Sequence, residues 1–190
     1  MRTFIAIELP HEIKDSLARL QAQLKTAGAD VKWVESKNIH LTLKFLGEVD
    51  EKKLLKLQQV LEEIVRSKTC FTIRLAALGA FPRMSSPRVI WVGIDKGEKE
   101  TQEIAKDLED ALWKLGIPKE DRPFSSHITI GRTRSGLHAG DLAAQINNLS
   151  TSVSQEPQEY PVKTIMLFKS TLTPQGPLYE ILKEAHLTTT

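Results

Sequence analysis

His40-Leu41-Thr42-Leu43 and His127-Ile128-Thr129-Ile130 are the two stretches that decide how this sequence reads. Both follow the pattern His-apolar-Thr-apolar. On a strand, residues two apart share a face. Each stretch therefore offers an imidazole and a hydroxyl on one side. Leu41 and Leu43, or Ile128 and Ile130, anchor the other side in a core. A lone histidine on a strand is usually structural, and a lone threonine there reflects strand propensity. Repetition reverses that balance: with five histidines and 15 threonines in 190 residues, chance expects well under one such stretch. A third run, His186-Leu187-Thr188-Thr189, lacks the final apolar residue. It is set aside as part of a C-terminal tail expected to fray.

The flanking chain repeats too. Residues 3–9 read as a buried strand. Pro10 opens a helix carrying Ile13, Leu17, Leu20 and Leu24 at helical spacing, and Gly28 ends it. Residues 31–34 and 38–46 are extended. Asp50 caps a helix with Leu54, Leu57, Leu61 and Ile64 on one face. Phe71, Ile73 and Leu75 alternate as a strand, and Phe81 to Arg88, with two prolines and two serines, reads as a loop. The order then recurs. It runs through a strand over 88–94, a helix carrying Ile104, Leu108, Ala111 and Leu115, and a strand over 125–131. A short helix on Leu142, Ile146 and Leu149 follows, then strands over 161–169 and 178–184. The offset of 87 that carries His40 onto His127 also carries Phe4-Ile5-Ala6-Ile7 onto Trp91-Val92-Gly93-Ile94. The expectation is an internal duplication of an α+β unit within residues 1–190, the second copy starting near residue 88.

Composition excludes several classes. The chain is 41% hydrophobic and 26% charged, so it has a core to bury and is not disordered. A net charge of +2 is too small for a protein that coats nucleic acid, so any such contact is local. Cys70 is the only cysteine, which removes internal disulfides and cysteine-based zinc sites; it reads as a small buried hydrophobe. No signal peptide or membrane-length apolar run is evident, and the expected compartment is the cytoplasm.

The residue types fit one chemistry. Opening a cyclic phosphodiester in line needs a base to activate water and an acid to protonate the leaving oxygen. Histidine titrates near neutrality and can serve as either. The hydroxyls of Thr42 and Thr129 can donate to the non-bridging phosphate oxygens. No metal or cofactor is required, and two histidines without a nearby carboxylate or cysteine motif make a poor metal site. The near-equivalent motifs leave open which histidine is acid and which is base. Lys44 has the strand parity of His40 and could meet the backbone of such a phosphodiester substrate. Arg132 has the opposite parity to His127 and would reach a cleft only if the strand bends after Gly131. Arg83, Arg88, Arg134 and Lys169 could form a basic rim. Phe4, Phe45, Phe81 and Phe124 could stack on a base, although core packing suits most of them better. His11 and His138 read as bystanders.

With these residues in view, the sequence resembles the two-histidine phosphoesterases, in the RNA 2′,3′-cyclic phosphodiesterase branch also called the 2′-5′ RNA ligase family. The resemblance covers essentially the whole chain: Arg2 to Ile7, Asn38 to Gly47, Phe81-Pro82, Pro87 to Trp91, and Phe124 to Arg132. The family often has alanine where Gly131 stands. The resemblance implies two pseudo-symmetric lobes, each an antiparallel sheet with helices on the outside, around a central cleft. It implies hydrolysis of RNA 2′,3′-cyclic phosphate ends to 2′-phosphomonoesters; the expected partners are RNAs with such ends, such as tRNA fragments, and the expected state is a monomer. It implies His40 as proton donor to the leaving 3′ oxygen and His127 as proton acceptor. Three rivals remain. One is ATP-independent 2′-5′ RNA ligation by the reverse reaction, the chain having no phosphate-binding loop of the GxxxxGK[ST] type. The others are a non-catalytic RNA- or nucleotide-binding module and a metal hydrolase.

Overall fold

The computed structural model describes residues 1–153 and 159–189. The chain runs β1 (Arg2–Glu8), α1 (His11–Lys25), β2 (Val31–Trp33), a 3₁₀ turn (Ser36–Asn38), β3 (His40–Glu48), α2 (Glu51–Arg66) and β4 (Phe71–Arg83). It continues β5 (Ser86–Lys96), α3 (Glu98–Trp113), β6 (His127–Thr133), α4 (Ala139–Leu149), β7 (Glu159–Val162), β8 (Thr164–Thr173) and β9 (Gly176–His186). The helices form where the apolar spacing predicts, except that α3 ends at Trp113, before Leu115, and buries Leu112 rather than Ala111. Ile13, Leu17, Leu20 and Leu24 of α1 are buried, as are Leu57, Leu61 and Val65 of α2. The Asp50 carboxylate accepts from the Lys52 amide, satisfying an otherwise orphaned donor at the start of α2.

All strand pairings within the sheet are antiparallel, in the order β7-β4-β5-β6-β3-β1-β8-β9, with β2 beside the far end of β6. The order is symmetric about the β6–β3 junction. One lobe is β3-β1-β8-β9 and the other β6-β5-β4-β7. The strands that follow α2 and α4 are exchanged: β4 pairs with β5, and β8 with β1. Each lobe therefore mixes both halves of the sequence. The helices pack as two pairs, α1 with α4 and α2 with α3, against the sheet. Among the described residues no helix is long and apolar enough to cross a membrane.

Four local expectations change. The stretch from Phe81 to Arg88 is the end of a long hairpin, with Phe81 opposite Val89, Pro82 opposite Pro87 and Arg83 opposite Ser86. Two prolines facing each other remove the donors that a ladder would require from either side, so the composition of a loop is compatible with strand geometry. The extended run over 161–169 is two strands that break at Lys163. Buried Val162 and Ile165 are three residues apart, so the period-2 pattern slips there. The chain crosses at that point from the β4 edge to the β1 side. The C-terminal tail does not fray: Leu187 is 5% exposed, and the Thr188 amide and hydroxyl both donate to the Lys68 carbonyl. Cys70 is half-buried rather than buried.

The repeat offset also needs adjustment at its first strand. Glu8 lies opposite His40, and Gly93 opposite His127. The first strands thus correspond two residues closer than an offset of 87. A shift of two preserves every inward and outward position, so the apolar pattern cannot detect it.

Candidate active site

The two motif strands are neighbours, joined by the antiparallel pair Leu41↔Ile128. In that register the next positions set His40 across from Thr129, and Thr42 across from His127. Four polar side chains thus converge around one rung. Their apolar companions Leu41, Leu43, Ile128 and Ile130 are buried beneath them.

Each imidazole is held in the same way. His40 Nδ1 lies 2.8 Å from the Asn38 carbonyl oxygen, and His127 Nδ1 lies 2.7 Å from that of Ser125. A carbonyl can only accept, so both Nδ1–H groups donate and both Nε2 lone pairs are left free in the neutral rings. The Ser126 hydroxyl, 2.7 Å from that of buried Thr101, ties the residue before His127 to α3. Burial pushes the His40 pKa down to about 4; the Lys14 ammonium adds to this, while the Asn38 carbonyl and Glu8 oppose it. Burial also lowers the His127 pKa, against the Ser125 carbonyl and assisted by the Arg132 guanidinium.

Aromatic rings build the walls. Phe4 stacks on His40 at 4.8 Å between ring centres, and Tyr179 meets the same imidazole edge-on at 5.4 Å. On the other side Phe81 meets His127 edge-on at 5.2 Å, with Trp91 packed on Phe81. Gly79 makes room for Trp91, since a Cβ there would lie 2.3 Å from the indole. A cavity of about 220 Å³ opens against His40, lined by Glu8, Lys14, Lys37, Phe168, Tyr179 and Ile181 among others. Tyr179, Trp91 and Phe168 lie outside both His-Thr motifs, and sequence reading did not single them out as site residues.

Two further expectations turn on one feature, a pair of β-bulges. Ile5 pairs with Lys44 but Ala6 with Thr42, so β3 carries an extra residue at Leu43. Ile90 pairs with Gly131 but Trp91 with Thr129, so β6 carries one at Ile130. An extra residue inverts the alternation beyond it. Lys44 therefore leaves the histidine face. Its side chain is 1% exposed, and Nζ donates to Glu109 at 2.6 Å and to the Pro118 carbonyl at 2.8 Å. It does not sit where it could meet RNA. Phe45 takes the outward place and is 54% exposed. In β6 the same inversion brings Arg132 to the histidine side, exposed and close enough to act on His127 and Tyr179.

Among the remaining residues, Arg83, Arg88 and Arg134 are exposed, whereas Lys169 is paired with Glu180 at 3.2 Å. Phe4 is buried and Phe124 packs on the core. His11 and His138 pair locally with Asp15 and Asp141. Among the described residues no three His, Cys, Asp or Glu side chains gather as a metal-binding group.

The model of the LigT like phosphoesterase family matches the chain twice, over residues 7–91 and 92–179. The chain belongs to that family. The two matches cover the two His-Thr motifs in turn. An RNA 2′,3′-cyclic phosphodiesterase of Methanocaldococcus jannaschii is 40% identical over 97% of this chain and 99% of its own length. The protein of that name from Thermotoga maritima is 35% identical, over 97% of this chain and 94% of its own. The crystal structure of a Thermus thermophilus protein superposes with a TM-score of 0.81 at 28% identity, covering 98% of both chains. E. coli LigT in apo form gives 0.76 at 29% identity, over 98% of this chain and 97% of that one. Another E. coli LigT structure is a complex with 3′-AMP.

Proposed function

We propose that this protein hydrolyses RNA 2′,3′-cyclic phosphate ends to 2′-phosphomonoesters by metal-free acid/base catalysis. The observation that supports the reading is the matched fixing of both imidazoles through Nδ1, which leaves two chemically equivalent Nε2 atoms free on adjoining strands. His127 takes a proton from water as it attacks phosphorus, and His40 delivers one to the departing 3′ oxygen. Thr42 and Thr129 donate to the non-bridging oxygens as charge builds there. The ring carries its leaving group in place, which favours in-line alignment. The names of the relatives support the substrate class.

The same reading takes residues 1–190 as one bilobal unit made by duplication, the second copy starting near residue 88. The symmetric strand order supports it. The protein is taken to act as a monomer in the cytoplasm on RNA fragments, such as cleaved tRNA, that end in a cyclic phosphate. Ligation of such an end to a 5′-hydroxyl is the reverse reaction through the same groups.

The deciding experiment is product analysis of a cyclic-ended oligonucleotide in the presence of a chelator. A 2′-phosphomonoester at undiminished rate is expected. A 3′-phosphate, or loss of activity in chelator, would overturn the scheme. His40→Ala and His127→Ala are each expected to lose at least about 100-fold, with the double variant little worse. A nitrophenyl phosphodiester, which needs no acid, should restore much of the rate to His40→Ala alone. Rescue of His127→Ala instead would exchange the two roles.

A further inference from the structure

The β2–β6 pair carries a feature that the hydrolytic site does not use. Lys32 lies directly opposite Arg132 in the antiparallel register, between Val31↔Thr133 and Trp33↔Gly131. Both are exposed. Like charges facing each other across a ladder destabilise it. Among the described residues neither cation has an ion-pair partner, and Asp30, just before β2, makes no ion pair with either. The arrangement is nevertheless held firmly. Buried Gln21 donates from Nε2 to the carbonyls of Val34 and Ile130, both at 2.8 Å, joining the end of β2 to the bulge that turns Arg132 toward His127. Val34 N also donates to the Ile130 carbonyl. Val31 and Trp33 close over Gly131, where a Cβ would lie 2.9 and 3.0 Å from them. A braced pair of facing, unneutralised cations beside a phosphate-processing histidine calls for an anion.

We infer that Lys32 and Arg132 form a second phosphate subsite, which holds the phosphodiester preceding the cyclic end of the RNA. This inference rests on the proposed function for the identity of the first phosphate. Lys32 is then a specificity residue that favours oligonucleotides over cyclic mononucleotides, which lack a second phosphate. A phosphodiester suits the place because one charge shared between two cations relieves their repulsion. Arginine supplies planar forked contacts and lysine a point charge.

The test compares a short cyclic-ended oligonucleotide with the same molecule carrying a neutral methylphosphonate at the last internal linkage. The wild-type protein should prefer the charged linkage in kcat/KM by about tenfold at low salt, and Lys32→Gln should lose most of that preference, consistent with one charge-assisted contact. The salt dependence of binding to the charged oligonucleotide should fall by about one unit of log–log slope in Lys32→Gln. Equal linkage preference in both proteins, or an unchanged slope, would overturn the subsite. Binding is read separately, by anisotropy of the labelled oligonucleotides. A wild-type protein that hydrolyses neither substrate would sink the proposed function, while the linkage dependence of binding would still decide the subsite.

Discussion

At the scale of single residues the histidines are near equivalents in sequence but not in surroundings. His40 lies beside Phe4, Tyr179 and the Glu8–Lys14 pair, whereas His127 faces Gly93, Phe81 and Arg132. The sequence alone places a rate maximum near neutrality, from the ordinary histidine pKa. Burial moves both values down, His40 to about 4. Both limbs of the kcat/KM profile should therefore fall below the usual histidine value of about 6.5, because kcat/KM reports the free enzyme. A bound phosphate anion favours the protonated imidazole and raises the His40 value. The alkaline limb of kcat should then lie above that of kcat/KM, and substrate affinity should rise as pH falls through the value in the complex. Profiles of the two parameters on one substrate check this; coincident limbs would count against a protonated His40 at the phosphate. The threonines give a second test. Thr42→Val and Thr129→Val keep shape and strand propensity, and each should lower turnover about 10- to 1000-fold with unchanged circular dichroism, as for a lost donor to developing charge.

At the scale of elements the two bulges decide which residues reach the site. Strict alternation predicts Lys44 inside the cleft and Arg132 outside it, and one extra residue per strand produces the opposite. The bulge in β6 is supported by Gln21, which is 5% exposed and whose amide spans two strands. Gln21→Leu removes both hydrogen bonds, taking this donor from the Val34 carbonyl and leaving the Ile130 carbonyl with the Val34 amide alone. It should cost about 2 kcal/mol of unfolding free energy in urea titration. It should also weaken oligonucleotide binding more than cyclic-mononucleotide turnover, because the displaced element is the corner bearing Lys32 and Arg132. An equal loss on both substrates would mean that the brace serves stability only.

At the scale of the molecule the lobes are tied together by more than the Leu41↔Ile128 pair. Lys44 on β3 reaches Glu109 on α3 and the Pro118 carbonyl, in the segment that leads toward His127. Glu120 approaches the same ammonium at 4.0 Å. Replacing only the cation leaves Glu109 facing an apolar partner, so Lys44→Met should lower stability by about 3 kcal/mol, the low end for breaking a buried pair. At temperatures where the variant is folded, its KM for RNA and the salt dependence of KM should match the wild type. A shallower salt slope would return Lys44 to the RNA-binding surface. The exchange of β4 and β8 between lobes adds a second tie, since neither lobe can be completed by one half of the chain alone.

The sequence by itself determined the motifs, their shared inward face, the apolar faces of the helices and the repeated order of elements. These follow from periodicity, which is local and needs only residue types. It determined neither the bulges, nor the crossing at Lys163, nor the hairpin through Pro82 and Pro87. A single inserted residue and a strand that changes neighbours leave hydrophobic content almost unaltered. Most of the aromatic walls were likewise hidden, because Trp91, Phe168 and Tyr179 come from three strands that meet only when the sheet forms. Tertiary structure therefore decided which cation shares the face of the histidines. The side of a strand on which a residue emerges depends on its pairing register with a neighbour, and that register is set by partners distant in the chain.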